Sequence, residues 1–532
     1  MKKLLVSAIV VLMASPAFAA IQNVKVSGDI TSTVINRNNF NLGITNGTEY
    51  TATSNSLGAT DITRVGNQYI NDGTPLGAGP LAVLPSTAQY VPLGLKRQNV
   101  FITQTRVRID ADLSDNVSTT VGLINERAWN AENTSVNPLA NTAPGYANDT
   151  GVQLYLASVT MRELLYSPLT VTVGRQVFNY GNGLILGDGG VNNQSTGNLQ
   201  YIAQDLTMRT SYDGVKAVLD YKPLTIDMFY FKNNQAIVNG NPIADKSSSD
   251  AFGINADYQL SDPWSTVLET YIFSRINGTA TSSAAGGTTS NRGDTLFVPG
   301  LRASTNPVKG LNVQGEVAWQ FGNHPVVTDL GSATDADILS QEAEKRHAMA
   351  AQLMASYALP VLQKYKPSVN ASYTYVSGDR NGLANLGSSP NTKSAKIYTA
   401  WDPFNENQGG GTIYNTLFPL SNMHILALGA SANPLEDVTT AFTWTSLWAA
   451  DYFTSANPLA LFQPDGGTAV IYPITRTNNR ALGNEYDVNL TYNYTEDVTF
   501  GVSVGWFVPG DVFLKENKNT ASQALADVAV KF

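Results

Sequence analysis

Cysteine is absent from all 532 residues. Disulfide and thiolate chemistry are therefore closed to the chain, and its fold rests on hydrogen bonding and packing. Charge is scarce. Asp, Glu, Lys and Arg make up 14% of the residues, against about a quarter in a soluble globular domain. There are only 3 histidines. None of His324, His347 and His424 stands at a spacing that pairs it with another on a metal or links it to a Ser or Asp. Beyond the N-terminal segment there is no apolar run of helix-spanning length, which excludes membrane helices. Clustered positive charge is missing too. With a formal net charge of −9, nucleic acid is not an expected partner. No cofactor is expected.

What is present begins at the N-terminus. Lys2 and Lys3 precede the short apolar run Leu4 to Met13, and Ala17-Phe18-Ala19 supplies small residues for cleavage. Positive segment, apolar run and small-residue site in that order describe a secretory signal peptide. Residues 1–19 are read as that peptide and 20–532 as one domain.

The dominant pattern after it has period two. Val24, Val26, Ile30 and Val34 share one parity, and Lys25, Ser27, Asp29, Thr31 and Thr33 share the other. Phe101, Val107, Ile109, Ala111 and Leu113 oppose Gln104, Arg106, Arg108, Asp110 and Asp112. The same alternation runs through Leu311 to Phe321 and through Glu485 to Tyr494. Successive strand side chains point to opposite faces, so each segment is a strand with one apolar and one polar face.

Such strands also suit a soluble sandwich, but their length and rhythm favour a membrane barrel. Many run ten or more residues, the reach of a tilted membrane strand. About eighteen can be placed, an even number as bacterial barrels require. They start near residues 24, 98, 117, 151, 169, 207, 224, 251, 265, 294, 311, 347, 367, 422, 437, 483, 498 and 521. Short connections such as Ser114-Asp115-Asn116, Lys222-Pro223 and Glu496-Asp497 alternate with long ones such as Arg37 to Arg97 and Gly378 to Ser421. Barrels have short periplasmic turns and long extracellular loops. The Gly/Ser/Thr-rich stretches Thr51 to Gly79 and Gly278 to Arg292 are read as surface loops. The fold expected is all-β: a single antiparallel up-and-down barrel of the bacterial outer membrane, surrounded by lipid.

The last segment fits this. Ala524, Ala526, Val528, Val530 and Phe532 are apolar on one parity, with Gln523, Asp527 and Lys531 on the other. The last strand must pair with the first to remove both sheet edges from lipid. A terminal aromatic on such a strand resembles the signal read by the outer-membrane assembly machinery, an expected partner. Trp129, Trp319, Phe321, Trp444, Trp448, Trp506 and Phe507 lie toward strand ends, as interfacial aromatic girdles do.

Several segments together resemble the bacterial alginate-export family of outer-membrane porins. They are Leu156 to Glu163 leading into Thr172-Val173-Gly174-Arg175-Gln176, then Asn179-Tyr180-Gly181-Asn182-Gly183 and Arg209 to Val215. Glu316 to Gly322, Ser377-Gly378-Asp379, Leu417-Phe418-Pro419, Gly483 to Asp487 and Gly505 to Gly510 follow in order. The resemblance spans about residue 98 to the end. It implies an eighteen-stranded barrel, in agreement with the periodicity, and a channel for a polysaccharide or other polar solute.

In the alginate exporter the lumen is strongly basic. Here the inward parity carries Lys25, Arg106, Arg108, Lys216, Arg275, Arg302 and Lys531, but also Asp29, Asp110, Asp112, Asp220, Asp227, Glu269, Glu316, Glu485, Asp487 and Asp527. A single-sign field concentrates a polyanion and a mixed one does not. This departure weighs against alginate as cargo and leaves the channel reading intact. The expected solute-selecting residues are Arg106, Arg108, Arg302, Glu316, Glu485 and Asp487, with Arg175 on one condition. Its parity matches Val171, Val173 and Val177, which face lipid. It reaches the lumen only if Gly174 marks a bulge, and otherwise snorkels at the interface. The bulge is the favoured expectation. Arg106 and Arg108 with Asp110 and Asp112 form a charged ladder, read either as a constriction or as ion pairs stiffening the wall.

Two further patterns are weighed. Gly187-Asp188-Gly189-Gly190 and Ser377 to Gly382 offer oxygens for calcium but lack the spacing of a dedicated site, and turn chemistry explains them. Gly501-Val502-Ser503-Val504-Gly505 matches a nucleophile elbow, which needs a strand-to-helix turn. It lies inside an alternating strand, so an enzyme is not expected. Besides a channel, the alternatives are a barrel displaying surface loops for adhesion and, more remotely, an outer-membrane hydrolase.

Overall fold

The computed structural model describes residues 23–40, 42, 97–129, 152–166, 168–187, 206, 211–234, 249–277, 294–324, 344–379, 397–407, 412–453, 479–513 and 518–532, with short ladders within 62–75, 237–242, 281–290 and 459–471. The proposed signal peptide, residues 1–19, lies outside the described residues, as do most of the Thr51 to Gly79 stretch and part of the Gly278 to Arg292 stretch.

The main sheet has nineteen members. One is the two-residue segment Ile397–Tyr398, which runs parallel to the start of a neighbouring strand. The other eighteen are antiparallel and form the barrel. In chain order they are β1 (Asn23–Asn38), β2 (Arg97–Ser114), β3 (Val117–Ala128), β4 (Gln153–Met161), β5 (Leu169–Gln176), β6 (Tyr212–Asp220), β7 (Leu224–Asn234), β8 (Ser249–Gln259) and β9 (Val267–Asn277). Then follow β10 (Asp294–Val308), β11 (Leu311–His324), β12 (Glu344–Ala358), β13 (Ser368–Val376), β14 (Met423–Leu435), β15 (Val438–Ala449), β16 (Ala481–Asn493), β17 (Val498–Pro509) and β18 (Ala521–Lys531).

Each strand pairs with its sequence neighbours, and β1 pairs with both β2 and β18. That closure leaves no unpaired edge, the condition for a sheet surrounded by hydrocarbon. At the seam Phe532 continues the ladder through Gly28, with backbone bonds of 2.8 and 3.0 Å. A Cβ at Gly28 would lie 2.5 Å from both the Phe532 ring and the Arg106 carbonyl. Glycine therefore makes room for the closing aromatic.

The expected starts match closely. The larger shifts are β6, which begins at Tyr212 rather than near 207, and β12, which begins at Glu344 rather than 347. β11 extends through His324. All the tight connections lie at one end of the barrel, where barrels place periplasmic turns. Gly310, at φ +84°, serves the β10–β11 turn, and a Cβ there would lie 2.9 Å from the Ala358 carbonyl.

Side-chain exposure separates the two faces. Val24, Val26, Ile30, Val34, Phe101, Ile254, Ile272, Leu301 and Leu353 are exposed apolar residues on the outward parity. They form the lipid-facing surface, since lipid tails leave apolar side chains without penalty. The interior differs from a plain polar lumen. Toward the loop end a continuous apolar cluster fills it, joining inward strand residues such as Phe229, Phe231, Phe273 and Val298 to residues of the connections.

Candidate functional site

The interior is built from a wall and a plug. The plug comes from connections that turn inward at the loop end. After β5 the chain enters the barrel, burying Phe178, Tyr180, Leu184, Ile185 and Leu186. Residues 401–407 do the same with Trp401 and Phe404. The two segments pair inside the barrel. Gly187 N donates to Asn405 O at 2.8 Å, Asn405 N to Ile185 O at 3.0 Å and Asn407 N to Gly183 O at 2.8 Å. Inward backbone must be satisfied locally, and this pairing satisfies it. Each buried Phe or Leu contributes roughly 1.5–3 kcal/mol to holding the segments in place.

Ion pairs fix the plug to the wall. Asp402 Oδ2 lies 2.8 Å from Arg275 on β9 and 2.8 Å from Arg346 on β12. Arg346 also holds Asp294 at 2.6 Å, and Gln320 exchanges two bonds with the Asp402 backbone. Nearby Glu406 is buried, and burial raises its pKa to about 7. A third inward element, the short helix α1 (Ile413–Leu417), has its first amides bound by a carboxylate. Ile413 N and Tyr414 N donate to Glu485 at 2.8 and 2.6 Å. Thr412, the residue before the helix, makes no side-chain cap, so Glu485 meets the unsatisfied donors and the positive end of the dipole. Burial and the charges of Glu485 and Asp487 push the Tyr414 hydroxyl's pKa up.

The wall from β1 to β5 is also buried at its loop end, at Ile35, Arg37 and Ile102, but differs nearer the tight turns. Arg106 bridges Asp29 across strands at 2.9 Å, and Arg108 holds Asp110 on its own strand through two bonds of 2.8 and 2.9 Å. Thr120 adds its hydroxyl to Asp110 at 2.6 Å. The Arg108 side chain is 49% exposed and that of Asp110 35%, so both meet water inside the barrel. Inward hydroxyls continue this surface, with Thr160 and Thr172 at 3.1 Å.

The structure thus divides the seven residues singled out from the sequence. Arg106 and Arg108 face the lumen and are also ion-paired, so both readings of the ladder describe the same side chains. Arg302 and Glu316 lie under the β5 loop. Arg302 bonds Glu269 at 3.0 Å, Gln314 at 2.7 Å and Asn182 of that loop at 3.2 Å. Glu485 is fully buried and Asp487 nearly so, against α1. These four contact the plug rather than open solvent.

Arg175 needs a correction. The ladder runs through Gly174 without a shift on either side, so no bulge re-aims the arginine. It stays on the outward parity with Val173, at the loop end of β5. There it pairs with Asp213 at 3.0 Å and donates to Ser211 at 3.1 Å. The outward face that parity indicated is the one observed, and Gly174's φ of +119° is absorbed without changing register.

Sequence reading missed the apolar plug. Its signal was present in β7 and β9. Met228, Phe229, Tyr230 and Phe231, like Tyr271, Ile272 and Phe273, are apolar or aromatic at both parities, the mark of a strand buried on both faces. Ser503 of the hydrolase-like string sits mid-strand between Asn489 and Leu525 in unbroken ladders, without the turn a nucleophile elbow needs.

Comparison with solved structures finds matches at low identity and with TM-scores under 0.5. Acinetobacter baumannii OccAB1 is 11% identical, with 97% of this chain and 99% of that one covered and a TM-score of 0.47. Pseudomonas aeruginosa OpdK is 8% identical, with 96% and 99% covered and a TM-score of 0.48. Pseudomonas aeruginosa OccK2, solved in complex with glucuronate, is 10% identical, with 96% and 99% covered and a TM-score of 0.47. No curated protein matches the sequence. Residues 92–527 match the alginate export family, which takes in β2 to β17 and most of β18, and with its closed eighteen-stranded barrel the chain belongs to that family of outer-membrane proteins.

Proposed function

We propose that the protein is a passive outer-membrane channel for a polar solute, which passes along the β1–β5 wall beside the plug. The observation that carries this is the asymmetry of the interior. Below the loop end, where Ile35 and Ile102 of β1 and β2 are buried with Leu206, one wall presents solvent-facing charges of both signs and hydroxyls, while the β9–β12 side holds the inward 401–407 segment by apolar contacts and ion pairs. A mixed wall exchanges hydrogen bonds with a neutral or zwitterionic solute and does not concentrate a polyanion. This supports a saccharide or other small polar cargo rather than alginate. The plug narrows the path without covalent closure, so passage is set by how far the loops withdraw.

The same reading includes export through the signal peptide of residues 1–19. It also includes delivery to the assembly machinery by β18 and Phe532, whose ring lies outward and 59% exposed over Gly28. A polar wall serves transit rather than display, which sets the channel above the adhesive alternative. The test is flux. Proteoliposomes holding the purified barrel are expected to swell in isosmotic small saccharide faster than protein-free vesicles. Equal rates, for this chain and for a variant with its plug unlatched, refute the channel.

A further inference from the structure

The β6–β9 wall beneath Tyr180 holds a cluster that the channel reading does not use. Asp227 on β7 lies directly opposite Asn255 on β8, and Asp257 lies directly opposite Glu269 on β9. Directly opposed side chains on one face sit about 5 Å apart at Cβ. Arg302 pairs with Glu269, and Lys216 stands 3.8 Å from the other oxygen of Asp227. Tyr271 donates to Glu316 at 2.6 Å. The loop after β5 roofs the cluster with Tyr180, stacked on Phe229 at 5.3 Å.

Among the described residues two oxygens at this point have no donor. Asn255 is 99% buried, its amide nitrogen donates to Asp257 at 3.1 Å, and its Oδ1 accepts nothing. Asp227 Oδ1, on the neighbouring strand, is equally buried and accepts nothing. The Tyr180 hydroxyl is also buried without a partner, although Asp227, Asp257 and Glu269 all act on it electrostatically. Burial, with these three charges, pushes its pKa up, so it stays protonated with its oxygen lone pairs available. A buried carboxylate oxygen and amide oxygen left without donors are destabilising. The local charge is also out of balance. Among the described residues Asp227, Asp257, Glu269 and Glu316 face Lys216 and Arg302, a formal excess of two carboxylates, with Glu269 and Glu316 buried and Asp227 and Asp257 half-buried.

We propose that this cluster is a binding site for one hard divalent cation of the calcium type. Asp227 Oδ1, Asn255 Oδ1 and the Tyr180 hydroxyl coordinate it directly, and Asp257 completes the anionic side. Calcium takes six to eight oxygens, carboxylate and neutral alike, in a flexible geometry. Among the described residues no three acidic or histidine side chains converge closely enough to hold a metal by themselves. The neutral oxygens of Asn255 and Tyr180 supply what the carboxylates lack. Because Tyr180 belongs to the inward loop and the other ligands to the wall, the ion ties the two together.

The experiment uses full-length barrel refolded in detergent free of lipopolysaccharide and dialysed against EDTA, titrated with calcium chloride by calorimetry. One calcium per chain is expected, together with a rise in unfolding temperature on calcium addition. Asp227→Asn is expected to weaken binding at least ten-fold. Tyr180→Phe removes only a hydroxyl from a buried ring and keeps the barrel foldable; it is expected to weaken binding several-fold and to shrink the thermal shift. Absence of calcium binding to the wild-type barrel overturns the proposal. So does binding that Tyr180→Phe and Asp227→Asn leave unchanged, which would place the ion in another part of the chain. A proton taken up in place of calcium, read as a pH-dependent thermal shift insensitive to calcium, overturns it as well.

Discussion

Replacing Asp402 by alanine is expected to release the plug. The carboxylate bridges two wall arginines, at 2.8 Å each. Charge-assisted hydrogen bonds of this kind contribute about 1.5–3 kcal/mol each. Asp402 is a quarter exposed and its partners keep other contacts: Arg346 retains Asp294, and Arg275 retains the Pro403 carbonyl at 3.0 Å. A net loss of ~3 kcal/mol for the docked segment follows, after discounting for that exposure. At about 1.4 kcal/mol per tenfold change, the ratio of withdrawn to docked segment rises by roughly two orders of magnitude. The barrel ladders do not involve Asp402, so the fold survives. Single-channel recording in planar bilayers reads the change as longer or larger open events in Asp402→Ala, with electrophoretic heat-modifiability confirming a folded barrel. Open-state occupancy equal to wild type in a folded Asp402→Ala barrel refutes the latch.

Glu406 makes plug docking pH-dependent. Burial lifts its pKa from an ordinary 4.5 to about 7, so docking gains from protonation. That gain is complete below the ordinary carboxylate range and is lost as pH rises toward 7, by up to ~1.4 kcal/mol per pH unit. Conductance is expected to increase between pH 5 and pH 8, and Glu406→Gln is expected to flatten that dependence. At the seam, Gly28→Val drives a branched side chain into Phe532 and the Arg106 carbonyl. A loss of about 1–3 kcal/mol in barrel stability is expected, measured by urea unfolding in detergent. Arg108→Ala leaves Asp110 unneutralised on the open wall and shifts the reversal potential toward cation selectivity in asymmetric salt. Arg175→Ala, which breaks an exposed pair outside the barrel, leaves selectivity unchanged and costs at most ~1 kcal/mol.

The strand order, the strand count and the tight turns were legible because period two is a strong signal where one face meets lipid. Val24 to Val34 and Phe101 to Leu113 each show one clean apolar parity. The interior was less legible. The inward parity of Arg302, Glu316, Glu485 and Asp487 was correct for the face, but parity does not say what covers a face. The covering residues, Phe178, Tyr180, Trp401 and Asp402, lie in connections without periodicity, and their docking is set by contacts between segments far apart in the chain. Arg175 shows the reverse error. Parity alone placed it outward, and an expected bulge at Gly174 overrode a correct signal. A glycine at positive φ permits a bulge but does not require one, and the continuous β4–β5 and β5–β6 registers show that none forms.

The absence of cysteine makes one measurement decisive for the central claim that solute passes along the β1–β5 wall. In a cysteine-free background, Arg108→Cys places a single thiol on that wall, and Val107→Cys places one on the lipid side of the same strand. Channels of each variant, recorded in planar bilayers, are treated with a water-soluble, membrane-impermeant thiol reagent bearing a bulky charged group. The account predicts a stepwise fall in current for Arg108→Cys and no change for Val107→Cys. Current unaffected by complete modification of Arg108→Cys, verified by mass, would contradict it.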